Sequence, residues 1–221
     1  MRKKLIFLHG FLGSPSDWDP ISSYFSENYD CFAPKLSELE KIELNDSHLI
    51  GYSMGGRIAL ELLLKDSKNF HSGVLLSTNP GIHDYERAQR ILSEKDWIEK
   101  LKTYPLDEFI EEWYSQPLFI NAPIPKSRWH INQEEMIELF QKYSIAKQDS
   151  FWDTLTSPHP NLTFLFGEKD EKYAKIGRKL KAMKLRVESL KNCSHALHLE
   201  NPGECINAIE KHLKVINEPN S

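Results

Sequence analysis

The feature that most constrains this chain is the pentapeptide Gly51-Tyr52-Ser53-Met54-Gly55, a G-x-S-x-G pattern in a telling context. A strand, residues 47–52, is predicted to enter it and a helix, residues 54–65, to leave it. A serine at such a corner is held in a strained conformation with two backbones nearly touching, so small residues must flank it. Gly55 and Gly56 meet that need. Serine is a poor nucleophile or base until a neighbour takes its proton. The pattern therefore demands a histidine that is itself oriented by a carboxylate.

Both partners are available downstream. Asp170 sits in the loop Gly167-Glu168-Lys169-Asp170 after a predicted strand, residues 162–166, and His195 ends Asn192-Cys193-Ser194-His195 after another, residues 185–190. Glu168 and Glu171 are rival acids, with Asp170 preferred, and His198 is a rival histidine. His195 and His198 form an i, i+3 pair, but no third ligand lies nearby, so no metal site is expected. The order Ser53, Asp170, His195, each at the C-terminal end of a strand, is that of the α/β-hydrolase fold. In that fold the loop after the first strand supplies one oxyanion-hole N–H and the residue after the serine supplies the other. Phe11, in His9-Gly10-Phe11, and Met54 are the residues so placed; His9 itself reads as structural.

The rest of the chain fits an α/β class with a mostly parallel sheet flanked by helices. Short apolar runs at residues 5–8, 29–33, 48–52, 74–77, 162–166 and 185–190 mostly lack strict alternation, as strands covered on both faces do. Helical stretches at 54–65, 172–183 and 202–215 alternate with them. From about residue 80 to 160 the alternation breaks and apolar residues recur at helical spacing. The expected organisation is a core of residues 1–79 and 161–216, a helical cap inserted at 80–160, and a flexible tail at 217–221. The 221 residues leave room for one such domain.

Composition narrows the partner. The net charge of -4 comes from 28 basic and 32 acidic residues mixed along the chain, so no basic stripe suggests nucleic acid or a membrane surface. A small soluble molecule is expected instead. Cys31, Cys193 and Cys205 are scattered and odd in number, which argues against a disulfide framework and for a reducing compartment. The first residues imitate a secretory leader, but the apolar run stops at His9 after four residues. A buried strand and a cytoplasmic protein are expected.

Several elements together resemble one family. They are His9-Gly-Phe-Leu-Gly13 with Trp18, Gly51-Tyr-Ser-Met-Gly-Gly-Arg57, and Asn79-Pro-Gly-Ile82 with Arg87 and Arg90. Further on come Trp113-Tyr-Ser-Gln-Pro-Leu-Phe119, Gly167-Glu-Lys-Asp170 with Tyr173, and the stretch from Cys193 to Pro202. The chain is similar in these to the 2-succinyl-6-hydroxy-2,4-cyclohexadiene-1-carboxylate synthases of the menaquinone pathway, α/β hydrolases by fold. The resemblance implies a lyase without a cofactor that expels pyruvate from a small polyanionic carboxylate. It implies a pocket with Tyr52, Trp113 and fixed cations. Arg57, one helical turn after Ser53, and Arg90, matching a cap arginine of the family, are expected to bind carboxylates, and Arg87 to coat a surface. A further family arginine has no match, and Lys142 is the nearest candidate. The segment from Phe11 to Ser53 is one helix shorter than usual in the family. The cap also carries nine basic against fourteen acidic residues between Gly81 and Ser157, so its acids are expected to face outward. The same triad would serve a hydrolase of small esters or thioesters, and the shortened segment leaves room for a binding protein without turnover.

Overall fold

Six strands, β1 (Lys4–Leu8), β2 (Asp30–Phe32), β3 (Ser47–Tyr52), β4 (Phe70–Leu76), β5 (Leu162–Gly167) and β6 (Arg186–Leu190), form one sheet in the order β2-β1-β3-β4-β5-β6. Every neighbouring pair is parallel. This computed structural model describes residues 2–120, 122–155 and 161–217. Residues 121 and 156–160 of the expected cap, and all of the expected tail but Asn217, lie outside the described residues.

Because side chains alternate across a strand, each apolar run feeds two cores. Leu5 and Phe7 of β1 pack on one face with Ile50 and Leu165; Ile6 and Leu8 pack on the other with Leu49, Phe164 and Phe166. The first face is covered by α1 (Asp19–Phe25) and α8 (Pro202–Asn217) through Ile21, Phe25, Ile209 and Leu213. The second is covered by α2 (Met54–Lys65) and α6 (Glu171–Ala182) through Ile58, Leu60, Leu63 and Leu180. This double cover is why the runs lack alternation.

Two boundaries depart from the pattern. β4 begins at Phe70, not at residue 74, because buried Ser72 is satisfied by His48 Nδ1 at 2.7 Å and His212 Nε2 at 2.8 Å. A polar residue so paired costs the strand little. Between β2 and β3 the crossover is only a 3₁₀ turn, Leu36–Lys41, which buries Leu36 and Leu39.

From the end of β4 to the start of β5 the described residues contain no strand. They hold α3 (Asp84–Thr103), α4 (Leu106–Tyr114) and α5 (Gln133–Lys142), with 3₁₀ turns at Pro117–Phe119 and Lys126–His130. The Asn132 side chain caps α5 by accepting from the Glu135 N–H at 3.1 Å. Met136, Leu139 and Phe140, spaced i, i+3, i+4, turn the buried face of α5 into the larger core. Most acids of this segment are exposed, as expected, but Glu94 is buried. No helix among the described residues is long and apolar enough to cross a membrane.

Candidate active site

The parallel strands all end on one edge, and the loops leaving β1, β3, β4, β5 and β6 gather there, the usual place for ligands in such sheets. Ser53, between β3 and α2, has φ 51° and ψ −107°, a conformation that ordinary residues avoid. What holds it is close packing at the glycines. A Cβ on Gly55 would lie 2.3 Å from the Leu8 carbonyl oxygen, and one on Gly56 would lie 2.0 Å from Thr78 Oγ1. The Ser53 N–H donates to the Leu76 carbonyl at 2.9 Å, fixing the corner to β4. The serine hydroxyl is thereby presented at the sheet edge.

His195 Nδ1–H donates to Asp170 Oδ2 at 2.7 Å, which leaves Nε2 to accept from Ser53 Oγ–H at 3.1 Å. The other carboxylate oxygen, Asp170 Oδ1, accepts from the Tyr173 N–H and so caps α6. Asp170 and His195 are almost wholly buried, whereas Glu168 and Glu171 are exposed. His198 sits away from the serine, between the rings of Trp18 and Tyr52 at 4.6 and 4.3 Å. Burial pushes its pKa down to about 3, so it stays neutral. His9 is also structural: Nδ1–H donates to the Gly10 carbonyl and Nε2 accepts from the Leu36 N–H. Among the described residues no group of three or more His, Cys, Asp or Glu could hold a metal ion, and the three cysteines are free.

Two residues that the motifs do not single out fasten the histidine loop. Ser77 Oγ–H donates to the His195 carbonyl at 2.8 Å. The Glu200 carboxylate accepts from Ser194 N–H, Ser194 Oγ–H and Ala196 N–H at 2.7 to 2.9 Å. Leu118 adds a third tie, its carbonyl accepting from the His195 N–H at 3.1 Å. Ser77 lies in no motif, whereas Leu118 and Glu200 fall within the quoted stretches that end at Phe119 and Pro202 without being singled out there.

A pocket of about 390 Å³ opens over Ser53. Phe11, Tyr52, Met54, Arg57, Arg90 and Trp113 all line it. Phe11 packs on Trp113 at 4.9 Å and Phe140 at 4.5 Å, joining the loop after β1 to α4 and α5. Met54 is the first residue of α2, where backbone N–H groups have no intrahelical partner. Among the described residues Arg57 forms no ion pair with a carboxylate. Its guanidinium donates to Gln148 Oε1 at 2.7 Å and the Tyr143 carbonyl at 2.6 Å, and burial lowers its pKa to about 10. Arg90 Nε–H donates to Glu94 at 2.7 Å.

Two expectations are corrected. Lys142 is not in this pocket; its ammonium pairs with Glu40 at 2.7 Å on the outer surface, because the helical register of α5 gives Phe140 the inward face. Lys172, at the start of α6, lines the pocket instead. Arg87 does not coat a solvated face. It donates to the Ala146 and Gln148 carbonyls at 2.6 and 2.9 Å, tying α3 to the chain after α5.

Comparison with known proteins agrees with this fold. The sequence model of the alpha/beta hydrolase family matches residues 36–208. The 2-succinyl-6-hydroxy-2,4-cyclohexadiene-1-carboxylate synthase of Salmonella typhimurium is 26% identical over 239 residues, covering 96% of this chain and 94% of that protein. The chloroplastic protein PHYLLO of Arabidopsis thaliana is 28% identical over 258 residues, covering 94% of this chain, which spans only 15% of PHYLLO. A solved structure of MenH from S. aureus has a TM-score of 0.84 at 22% identity, covering 97% of this chain and 94% of that one.

Proposed function

This chain belongs to the alpha/beta hydrolase family, and from that premise we propose that it is a lyase that eliminates pyruvate from 2-succinyl-5-enolpyruvyl-6-hydroxy-3-cyclohexene-1-carboxylate in menaquinone or phylloquinone formation. The observation that carries this reading is a complete proton relay, Ser53–His195–Asp170, beneath a pocket whose wall holds Arg57 and Arg90. The named synthase relative, nearly the same length, supports the substrate class.

In this reading Ser53 is the base. Its proton passes to His195 Nε2, which Asp170 orients and stabilises as an imidazolium. Ser53 Oγ then takes the ring proton next to the succinyl ketone, and the Phe11 and Met54 N–H groups hold the enolate oxygen that develops. The electron pair returns through the ring double bond and breaks the C–O bond to the enolpyruvyl group. Pyruvate leaves as its enolate and is protonated by way of His195. No acyl-enzyme forms. The substrate bears three carboxylates, on the ring, the succinyl arm and the enolpyruvyl arm, and Arg57 and Arg90 each offer a planar fork to one. The test is pyruvate release from this substrate, followed by coupled reduction to lactate. Absence of pyruvate, together with an acyl-Ser53 adduct formed from a small ester, would instead favour a hydrolase.

A further inference from the structure

Lys172 is a cation that the triad and the two arginines leave unexplained. It stands two residues after Asp170 on α6 and lines the same pocket as Ser53, Arg57 and Arg90. Among the described residues its ammonium has no ion pair or hydrogen bond. Desolvation in the pocket lowers the pKa of both Lys172 and Arg57, and Arg90 lowers each further. Asp170 and Glu86 act the other way on Lys172, which stays partly open to solvent, and Tyr173 acts the other way on Arg57. Lys172, Arg57 and Arg90 thus give the wall of one pocket three cations, an arrangement suited to an anionic ligand. Among the described residues Arg90 alone of the three forms an ion pair, with Glu94. The acid of the pocket wall, Glu86, already accepts the His83 N–H at 2.8 Å.

We infer that Lys172 is the third carboxylate-binding cation of this pocket, supplied by a core helix where Lys142 of α5 faces away, and that it favours tricarboxylate ligands over dicarboxylates. The inference rests on the pyruvate-eliminating reading. The chemistry fits: a lysine gives a compact, rotatable charge that suits a mobile carboxylate arm, while the arginines suit fixed ones.

The test compares Lys172→Met, Lys172→Arg and Lys175→Met, the last an exposed neighbour on α6 outside the pocket. Pyruvate release gives kcat and KM, and calorimetry with benzene-1,3,5-tricarboxylate and benzene-1,3-dicarboxylate gives binding without turnover. Lys172→Met should raise KM about tenfold or more with kcat within about threefold, and weaken the tricarboxylate by a similar factor while sparing the dicarboxylate. Lys172→Arg should keep most of the affinity and Lys175→Met all of it. If the wild type releases pyruvate but Lys172→Met keeps its KM and tricarboxylate affinity, or loses kcat alone, the assignment of Lys172 is overturned and the reading of the reaction stands. If the wild type releases no pyruvate, that reading falls and takes the inference with it.

Discussion

Arg128 Nη1 and Nη2 donate to the two oxygens of Asp17 at 2.9 and 2.7 Å, with both side chains almost wholly withdrawn from water. Arg128 Nε also donates to the Tyr114 hydroxyl at 2.9 Å. Arg128 lies in the helical segment between β4 and β5 and Asp17 in the turn before α1, so the pair fastens one to the other. Burial pushes the Asp17 carboxyl up, but the Arg128 hydrogen bonds and charge outweigh it and hold the group below its ordinary range.

Breaking this pair should be far worse than replacing it. Arg128→Met leaves a buried carboxylate without its counter-ion and should cost about 3–5 kcal/mol in urea unfolding. Asp17→Leu with Arg128→Met removes both charges and should cost clearly less than the two single changes added together. Additive losses would show that the two side chains do not act as a pair.

Ser53 links stability to activity through its backbone. A residue at its φ of 51° and ψ of −107° carries strain of about 1–3 kcal/mol that glycine does not feel. Ser53→Gly should raise the melting temperature by about 2–4 °C per kcal/mol recovered. Ser53→Ala, still strained, should melt near the wild type. Both should lose at least about a thousandfold in pyruvate release, as should His195→Ala. Asp170→Asn should be comparably harmful because it misplaces the tautomer. Glu168→Gln and Glu171→Gln, exposed and away from His195, should change little. A damaging Glu168→Gln would move the orienting role to that residue.

Three buried histidines make the fold sensitive to acid. Burial, aided by His71 and Lys3, lowers His48 to about 4, and burial lowers His198 and His212 to about 3. The unfolded chain binds these protons near pH 6.5 and the folded chain does not. Stability therefore rises with pH across this window, and is lost progressively as pH falls from about 6.5 towards 3. Each group contributes on the order of a few kcal/mol to that loss. Both ring nitrogens of His198 lack a partner among the described residues. His198→Phe should therefore gain more at pH 5 than at pH 8, measured as the difference in urea midpoint between the two pH values. Equal gains at both would mean that His198 does not titrate with unfolding.

Much of this arrangement is legible in the sequence itself. The strands read as nearly unbroken apolar runs because the sheet is covered twice, and Ser53, Asp170 and His195 each follow one in chain order. What escaped were relations that depend on tertiary packing. Lys142 and Lys172 look alike as isolated lysines; only the crossing of α5 and α6 against the core turns one outward and the other into the pocket. The Asp17–Arg128 pair joins residues 111 positions apart, which no local pattern reports. Ser77 acts through one hydrogen bond to the His195 carbonyl and Glu200 through three within the histidine loop, and neither leaves a periodic signal. The short helix α1 was hidden by its polar start, although Pro20 at the first turn is a favourable residue there.

Arg57 and Arg90 separate the two chemistries that the triad allows. Their proposed task is to hold carboxylates, not to move a proton, so their loss should follow the charge of the substrate. A charge-assisted hydrogen bond is worth about 1.5–3 kcal/mol, so Arg57→Ala or Arg90→Ala should lower kcat/KM for the tricarboxylate substrate by roughly ten to more than a hundredfold. Turnover of a small neutral ester, where measurable, should barely change. The two arginines differ in one respect. Arg57 also holds the Tyr143 carbonyl and Gln148, so its removal should loosen the chain after α5 and lower the melting temperature, whereas Arg90→Ala leaves buried Glu94 with Ser144 as its remaining partner. Lysine at either position keeps the charge but loses the planar fork, so Arg57→Lys and Arg90→Lys should rescue only part of the loss. If both alanine variants keep full activity on the tricarboxylate, or lose neutral-ester turnover in the same proportion, neither arginine clamps substrate, and the lyase reading loses its main physical support in the pocket.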